Sequence, residues 1–211
     1  MKITLILDSK DSWFVDHAKK LQLILKKEHT TEIIYNFNEM TKGDIAFFLS
    51  VTKICPPEKL ALHTHNIVIH ASDLPKGKGW SPMPWQIIEG KNEIALSLFE
   101  AAEKVDSGVI YIKDKVVYEG HELIDELREK MAAKMSEMAV NYVEHYDTIT
   151  GEEQIGEETF YQKRTPHDSE LDITQSLLQQ FNLLRTIDNE RYPAFFYKDG
   201  FKYLLKISKE S

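Results

Sequence analysis

Short apolar runs alternate with stretches of helical period through the N-terminal half of the chain. Residues 3–7 (Ile3-Thr4-Leu5-Ile6-Leu7) form the first run, of strand length, and end at the polar segment 8–12. Phe14, Ala18, Leu21 and Leu25 then recur at spacings of three and four, which predicts a helix with one apolar face. Further runs at 32–35, 44–49 and 66–70 read as strands two, three and four. Continuous apolar strands separated by helical segments belong to parallel sheets covered on both faces. Right-handed crossovers then give a Rossmann-like α/β arrangement.

Beyond His70 the pattern breaks. Residues 71–84 contain Pro75, Gly77, Gly79, Pro82 and Pro84, a turn-rich loop. A short helix is predicted from Pro84 to Glu89, a strand over 93–100, and a pair of short strands over 108–117. A long amphipathic helix follows over 121–145, with Leu123, Leu127, Met131, Met135 and Met138 on one stripe. That stripe suits core or a dimer surface. After Tyr146 the chain turns polar, so a boundary is expected between a domain of residues 1–146 and an extension of residues 147–211. In the extension, residues 172–185 read as a second helix capped by Asp172. Apolar runs at 194–197 and 202–207 flank Asp199-Gly200, a strong hairpin signal.

The composition narrows the function. There are 26 Lys and Arg against 34 Asp and Glu, a formal net charge of -8. Nucleic acid is disfavoured as a main partner, because phosphates are neutralised by a basic surface. No apolar run reaches the length of a membrane span. Asp8 comes too early for a secretory signal, and the one cysteine, Cys55, forms no disulfide framework. A cytoplasmic location is the expectation. The first strand leads into 8–12 without a glycine fingerprint, so dinucleotide chemistry is not expected. His63, His65 and His70 match no helical ligand spacing, and no metal is assigned.

Ligands of a doubly wound sheet bind at the carboxyl ends of its strands. The loop after residue 70 is therefore the first candidate, and it opens on His70, a general acid or base at neutral pH. The second is Asp106, just before Gly108; a carboxylate beside a histidine can orient the ring.

The segment His70-Ala71-Ser72-Asp73-Leu74-Pro75-Lys76-Gly77-Lys78-Gly79-Trp80-Ser81-Pro82 resembles the formyltransferase signature His-x-Ser-x-Leu-Pro followed by a basic residue, Gly and Pro. The likeness continues through Trp85-Gln86-Ile87-Ile88-Glu89-Gly90. It is completed by Val105-Asp106-Ser107-Gly108-Val109-Ile110, similar to the family's Asp-x-Gly-x-Ile element. These match enzymes that use 10-formyltetrahydrofolate. The segment from Phe160 to Asp168 resembles the tail of the branch that formylates nucleotide-linked amino sugars.

The resemblance implies formyl transfer to a primary amine, with His70 and Asp106 acting as a unit. The family's asparagine sits two residues before the histidine, where this chain has Val68. Asn66 is four before and is the candidate stand-in, although each step of two along a strand moves about 6–7 Å. Another donor, a strand bulge or impaired activity are the open alternatives. The folate pocket implied by the family is read largely by backbone, at Thr52, Lys53, Ile54 and Cys55 and at Ala102, Glu103 and Val105. Ser72, Lys76, Lys78 and Trp80 are expected near the substrate, the lysines near a diphosphate. The expected acceptor is a nucleotide-linked amino sugar. The transformylase of purine synthesis is the first rival and a lapsed ligand-binding homologue the second. The tRNA-formylating relatives carry a large C-terminal RNA-binding domain, whereas residues 147–211 show no basic excess. The oligomeric state is left open; the C-terminal helix and hairpin could support a homodimer.

Overall fold

The computed structural model describes residues 1–210. Its elements run β1 (Lys2–Ile6), α1 (Val15–Leu25), β2 (Thr30–Ile34), β3 (Gly43–Phe48), α2 (Pro57–Leu60), β4 (His63–His70), β5 (Lys78–Gly79), α3 (Pro82–Ile88), β6 (Glu93–Glu100) and β7 (Ile110–Val117). α4 (Ile124–Glu144), β8 (Phe160–Tyr161), α5 (Phe181–Leu184), β9 (Ala194–Lys198) and β10 (Phe201–Leu205) complete the chain. The central sheet has six strands in the order β2-β1-β3-β4-β6-β7. β2, β1, β3 and β4 are parallel, and β6 and β7 join antiparallel.

Strand alternation explains the two layers. Ile3, Leu5 and Leu7 point to one face, where they pack with Ala18, Leu21 and Leu25 of α1 and with Leu127, Met131, Met135 and Met138 of α4. The methionine stripe is therefore core. Each such leucine, isoleucine or methionine contributes roughly 1.5–3 kcal/mol by leaving water. Ile6, Ala46 and Phe48 point to the other face, covered by α2 and by the 3-10 turn Phe37–Glu39. Among the described residues no helix is long and apolar enough to cross a membrane.

Three expectations change. The residues 108–117 form one strand from Ile110, not a pair. The short helix begins earlier, at Pro82. The helix expected over 172–185 shrinks to the single turn of α5. Asp172 instead accepts hydrogen bonds from Thr174 N and Oγ1, and the Gln180 side chain donates to Asp172 O. Gln179 Oε1 likewise takes the Ser176 N–H. Polar side chains thus capture backbone groups that a helix would need. The hairpin forms as read, with Asp199 and Gly200 both at positive φ (52° and 82°), the geometry of a two-residue hairpin turn.

The segment after α4 does not leave the body. Glu152 exchanges both backbone hydrogen bonds with Ile110 at the start of β7, each 2.8 Å. β8 pairs with β5 inside the loop that follows β4.

Candidate active site

β4 ends at His70, whose side chain shares a face with Asn66 and Val68, opposite the main core. The loop of residues 71–80 folds back over it. His70 Nε2 lies 2.8 Å from Gly77 O. A carbonyl only accepts, so a neutral ring carries its proton on Nε2. Asp106 Oδ2 faces the same nitrogen at 3.8 Å and accepts the Gly79 N–H at 2.8 Å. Both side chains are largely buried, 10% and 13% exposed. The structure therefore brings together His70 and Asp106, from loops thirty-odd residues apart. The nearest partner of the ring is Gly77 O, with Asp106 behind it at ion-pair distance.

Asp106 has φ 50°, the left-handed region that strains a non-glycine residue. The turn after it closes tightly: a Cβ on Gly108 would lie 1.8 Å from Glu100 O. Only glycine lets the loop return so close to the end of β6.

Asn66 is not brought to this pair. β4 keeps unbroken register with β3 over residues 65–68 and with β6 over residues 67–70, so no bulge advances Asn66 along the described strand. Four residues of regular strand place it about 13 Å back along β4. Its Nδ2 donates to Leu60 O at 3.0 Å, and its buried Oδ1 has no partner among the described residues. Val68, at the position nearer His70, packs against Leu74, Phe99 and Ile110.

The two loops expected around the donor flank this face. Thr52 gives both its N–H and its hydroxyl to Asp8 Oδ2, at 2.7 and 2.5 Å, which ties the loop of residues 50–55 to the end of β1. Lys53 and Ile54 are exposed. Burial pushes the Cys55 thiol up to about 11, so it stays protonated and is a poor nucleophile. Ala102 and Glu103 are exposed, and Val105 is half-exposed. Among the described residues, no group of the chain takes the backbone N–H of Ala102, Glu103 or Val105. Those amides suit a ligand read through its heteroatoms.

The substrate candidates divide. Lys76 and Trp80 are exposed, and the Lys163 ammonium lies 4.9 Å over the Trp80 ring. Lys78 is buried, with Nζ 2.6 Å from Glu158 Oε1, so its charge is answered within the chain and does not face a diphosphate. Ser72 is buried too, with an unpartnered Oγ beside Gly77. Sequence reasoning missed Gly77 and Gly79, whose backbone groups hold the pair. It also missed Gln154 and Thr159, which reach the same loops from the far end of the chain. The Gly77-Lys78-Gly79 doublet was the available signal; Gln154 and Thr159 carried none.

A mostly parallel α/β sheet with a His–Asp pair gathered at the strand ends has the form of a ligand-binding or catalytic α/β domain. The chain belongs to the formyl transferase family, whose model matches residues 8–143. It is 26% identical over 145 residues to the methionyl-tRNA formyltransferase of Thermodesulfovibrio yellowstonii, a match covering 67% of this chain and 47% of that protein. The chain thus spans about half the length of that curated relative. A methionyl-tRNA formyltransferase from Clostridium thermocellum superposes with TM-score 0.85 at 22% identity, over 100% of this chain and 94% of the other. A 4-N formyltransferase from Francisella tularensis gives 0.73 at 18%, over 100% and 98%. HypX from Aquifex aeolicus, in complex with tetrahydrofolic acid, gives 0.78 at 14%, over 98% and 37%. At these identities the structural likeness speaks to the fold.

Proposed function

We propose that this protein transfers a formyl group from 10-formyltetrahydrofolate to the primary amine of a nucleotide-linked amino sugar. The observation that carries the proposal is the convergence of His70 Nε2, Asp106 Oδ2 and the Gly77–Gly79 backbone at one point. The neutral amine attacks the formyl carbon, forming a C–N bond and an oxyanion. Collapse breaks the bond from that carbon to N10 of the folate. The amine gives up one proton, and the departing N10 takes one. His70 stabilises the oxyanion or handles the amine proton, and Asp106 holds the proton on its way through the ring or a water. The free amides at residues 102–105 hold the donor, as in the family. Lys76, Lys163 and the Trp80 ring face outward beside the pair and suit a nucleoside diphosphate. Cytoplasmic action belongs to the same proposal.

The formal charge of -8 disfavours tRNA, whose many phosphates call for a basic surface. The 26% identity to a methionyl-tRNA formyltransferase supplies the second reading. Incubation with 10-formyltetrahydrofolate and a panel of amino-sugar nucleotides, glycinamide ribonucleotide and initiator methionyl-tRNA separates them. A mass gain of one formyl group on a sugar nucleotide is expected. Formylation of methionyl-tRNA or glycinamide ribonucleotide alone rejects the acceptor. Ligand binding without transfer to any of them rejects catalysis and points to Val68.

The same reading includes self-association through the hairpin. β10 has an unpaired edge, and Tyr197, Phe201, Tyr203 and Leu204 are 50%, 68%, 47% and 63% exposed. Such an edge pairs readily with another strand. Light scattering is expected to show a dimer that Phe201→Lys with Leu204→Lys converts to monomer.

A further inference from the structure

Gln154 lies in the polar segment after α4, outside the part of the chain that the family model matches. Its Nε2 donates to Asp106 O and to Gly108 O, both at 2.9 Å. Both partners are carbonyls and only accept, so the orientation of the amide is fixed by its surroundings. The two bonds straddle the left-handed Asp106 and the close return at Gly108. A few residues on, the same segment reaches the opposite loop. Thr159 Oγ1 accepts the Gly77 N–H at 2.8 Å, and Thr159 O accepts the Lys78 N–H at 2.9 Å. Gly77 O in turn faces His70 Nε2. One strap, held to β7 at Glu152 and to β5 at Phe160–Tyr161, therefore grips the supports of both active-site side chains.

We infer that Gln154 is a positioning residue that holds the Asp106 carboxylate against Gly79 N and His70 by clamping the backbone on either side of Ser107. The inference rests on the proposed roles of His70 and Asp106. It follows from the geometry of the turn. A non-glycine residue at φ 50° is strained unless its neighbours hold it, and among the described residues no other side chain bonds the Asp106 and Gly108 carbonyls. Relaxation of the turn swings the carboxylate away from Gly79 N. A misplacement of about 1 Å at a reacting group can cost about 10²-fold in rate.

The test uses the full chain and two variants of similar volume. Gln154→Met removes the amide, and Gln154→Glu keeps Oε1 but replaces the donor with a second acceptor. The first readout needs no substrate: amide hydrogen exchange at Gly79, whose N–H is bonded to Asp106. Exchange is expected to speed up at least about tenfold in both variants. The N–H groups of Lys78 and Trp80, bonded to Thr159 and Tyr161 backbone, serve as controls and should not change. Unchanged protection at Gly79 overturns the inference, as does simultaneous loss of protection at all three, which would mean that the strap has come undone. The second readout is kcat and KM with 10-formyltetrahydrofolate and the acceptor selected by the panel. A fall in kcat of about 10–100-fold with little change in KM is expected for both variants. In an Asp106→Asn background, Gln154→Met should cost nothing further. A Gln154→Glu enzyme with wild-type kcat overturns the inference. An Asp106→Asn enzyme with wild-type kcat instead overturns the reading of the site and leaves the exchange result standing.

Discussion

At the residue scale, His70 Nε2 faces one carbonyl and one carboxylate at 2.8 and 3.8 Å, and the proposed role rests on that atom. His70→Ala removes that group and is expected to lower kcat by about 10²–10⁴-fold while leaving folate binding measurable by fluorescence titration. An alanine enzyme with near wild-type turnover would reject the role. Val68 is the reciprocal case. It rests on Leu74, Phe99 and Ile110, so an asparagine there has apolar neighbours and few partners. Val68→Asn should cost about 1–3 kcal/mol in urea denaturation. It should also raise kcat, because a single donor aimed at a developing oxyanion is worth about 10²–10³-fold where none is present. No gain in kcat would mean that another group already supplies that donor. That His70 and Asp106 meet is consistent with the local signature each side chain carries. Asn66 misled for a physical reason: residue type and face are readable from spacing, but distance along a regular strand does not shrink without a bulge, and β4 has none.

At the element scale, the loop from Glu100 to Ile110 is shaped by one close approach. Gly108→Ala drives a Cβ into Glu100 O at 1.8 Å, and backbone on both sides leaves little room to yield. Destabilisation of about 1–3 kcal/mol and a marked loss of turnover are expected together, since the turn that carries Asp106 must move. Gly200→Ala is the control. It also has positive φ but nothing within 4 Å, so it should cost about 1 kcal/mol and leave kcat alone. Equal effects of the two substitutions on kcat would refute this account of the loop. The elements themselves were legible wherever one force dominated. Buried strands and α4 announced themselves by apolar period, and the hairpin by Asp199-Gly200. The direction of β6 was not legible, because an apolar run carries no sign for parallel or antiparallel pairing. The helix expected at 172–185 failed because Ser176, Gln179 and Gln180 bind backbone more favourably than they continue a helix. The strap of residues 152–161 was opaque for another reason: its bonds to the site span 46 to 82 residues, and no local pattern encodes them.

At the scale of the whole molecule, a buried ion pair is among the links that tie the extension to the body. Arg185 Nη2 lies 3.0 Å from Glu122 Oε2, with side chains 0% and 1% exposed, and Arg185 also bonds Glu122 O and Asn92 Oδ1. Lys130 Nζ takes the other carboxylate oxygen at 2.7 Å, and the Glu119 and Gly120 N–H groups complete the shell. Burial alone would raise the Glu122 carboxyl. The Lys130 ammonium and the backbone N–H donors outweigh it and hold the group at about 2, against an ordinary value of 4.5. A depressed carboxyl stabilises the fold above its unfolded value and loses that contribution as pH falls toward the folded one. The window here is pH 4.5 down to about 2, and the amount at stake is on the order of 3 kcal/mol. Arg185→Met leaves the carboxylate buried with one cation fewer and should cost about 3–5 kcal/mol at neutral pH. Glu122→Gln removes the titrating group. Urea midpoints measured at intervals from pH 6 to about pH 2 should then show the acid-dependent loss of the wild type reduced by about that amount in Glu122→Gln. A variant whose pH dependence parallels the wild type would show that the folded Glu122 carboxyl is not held below its ordinary value.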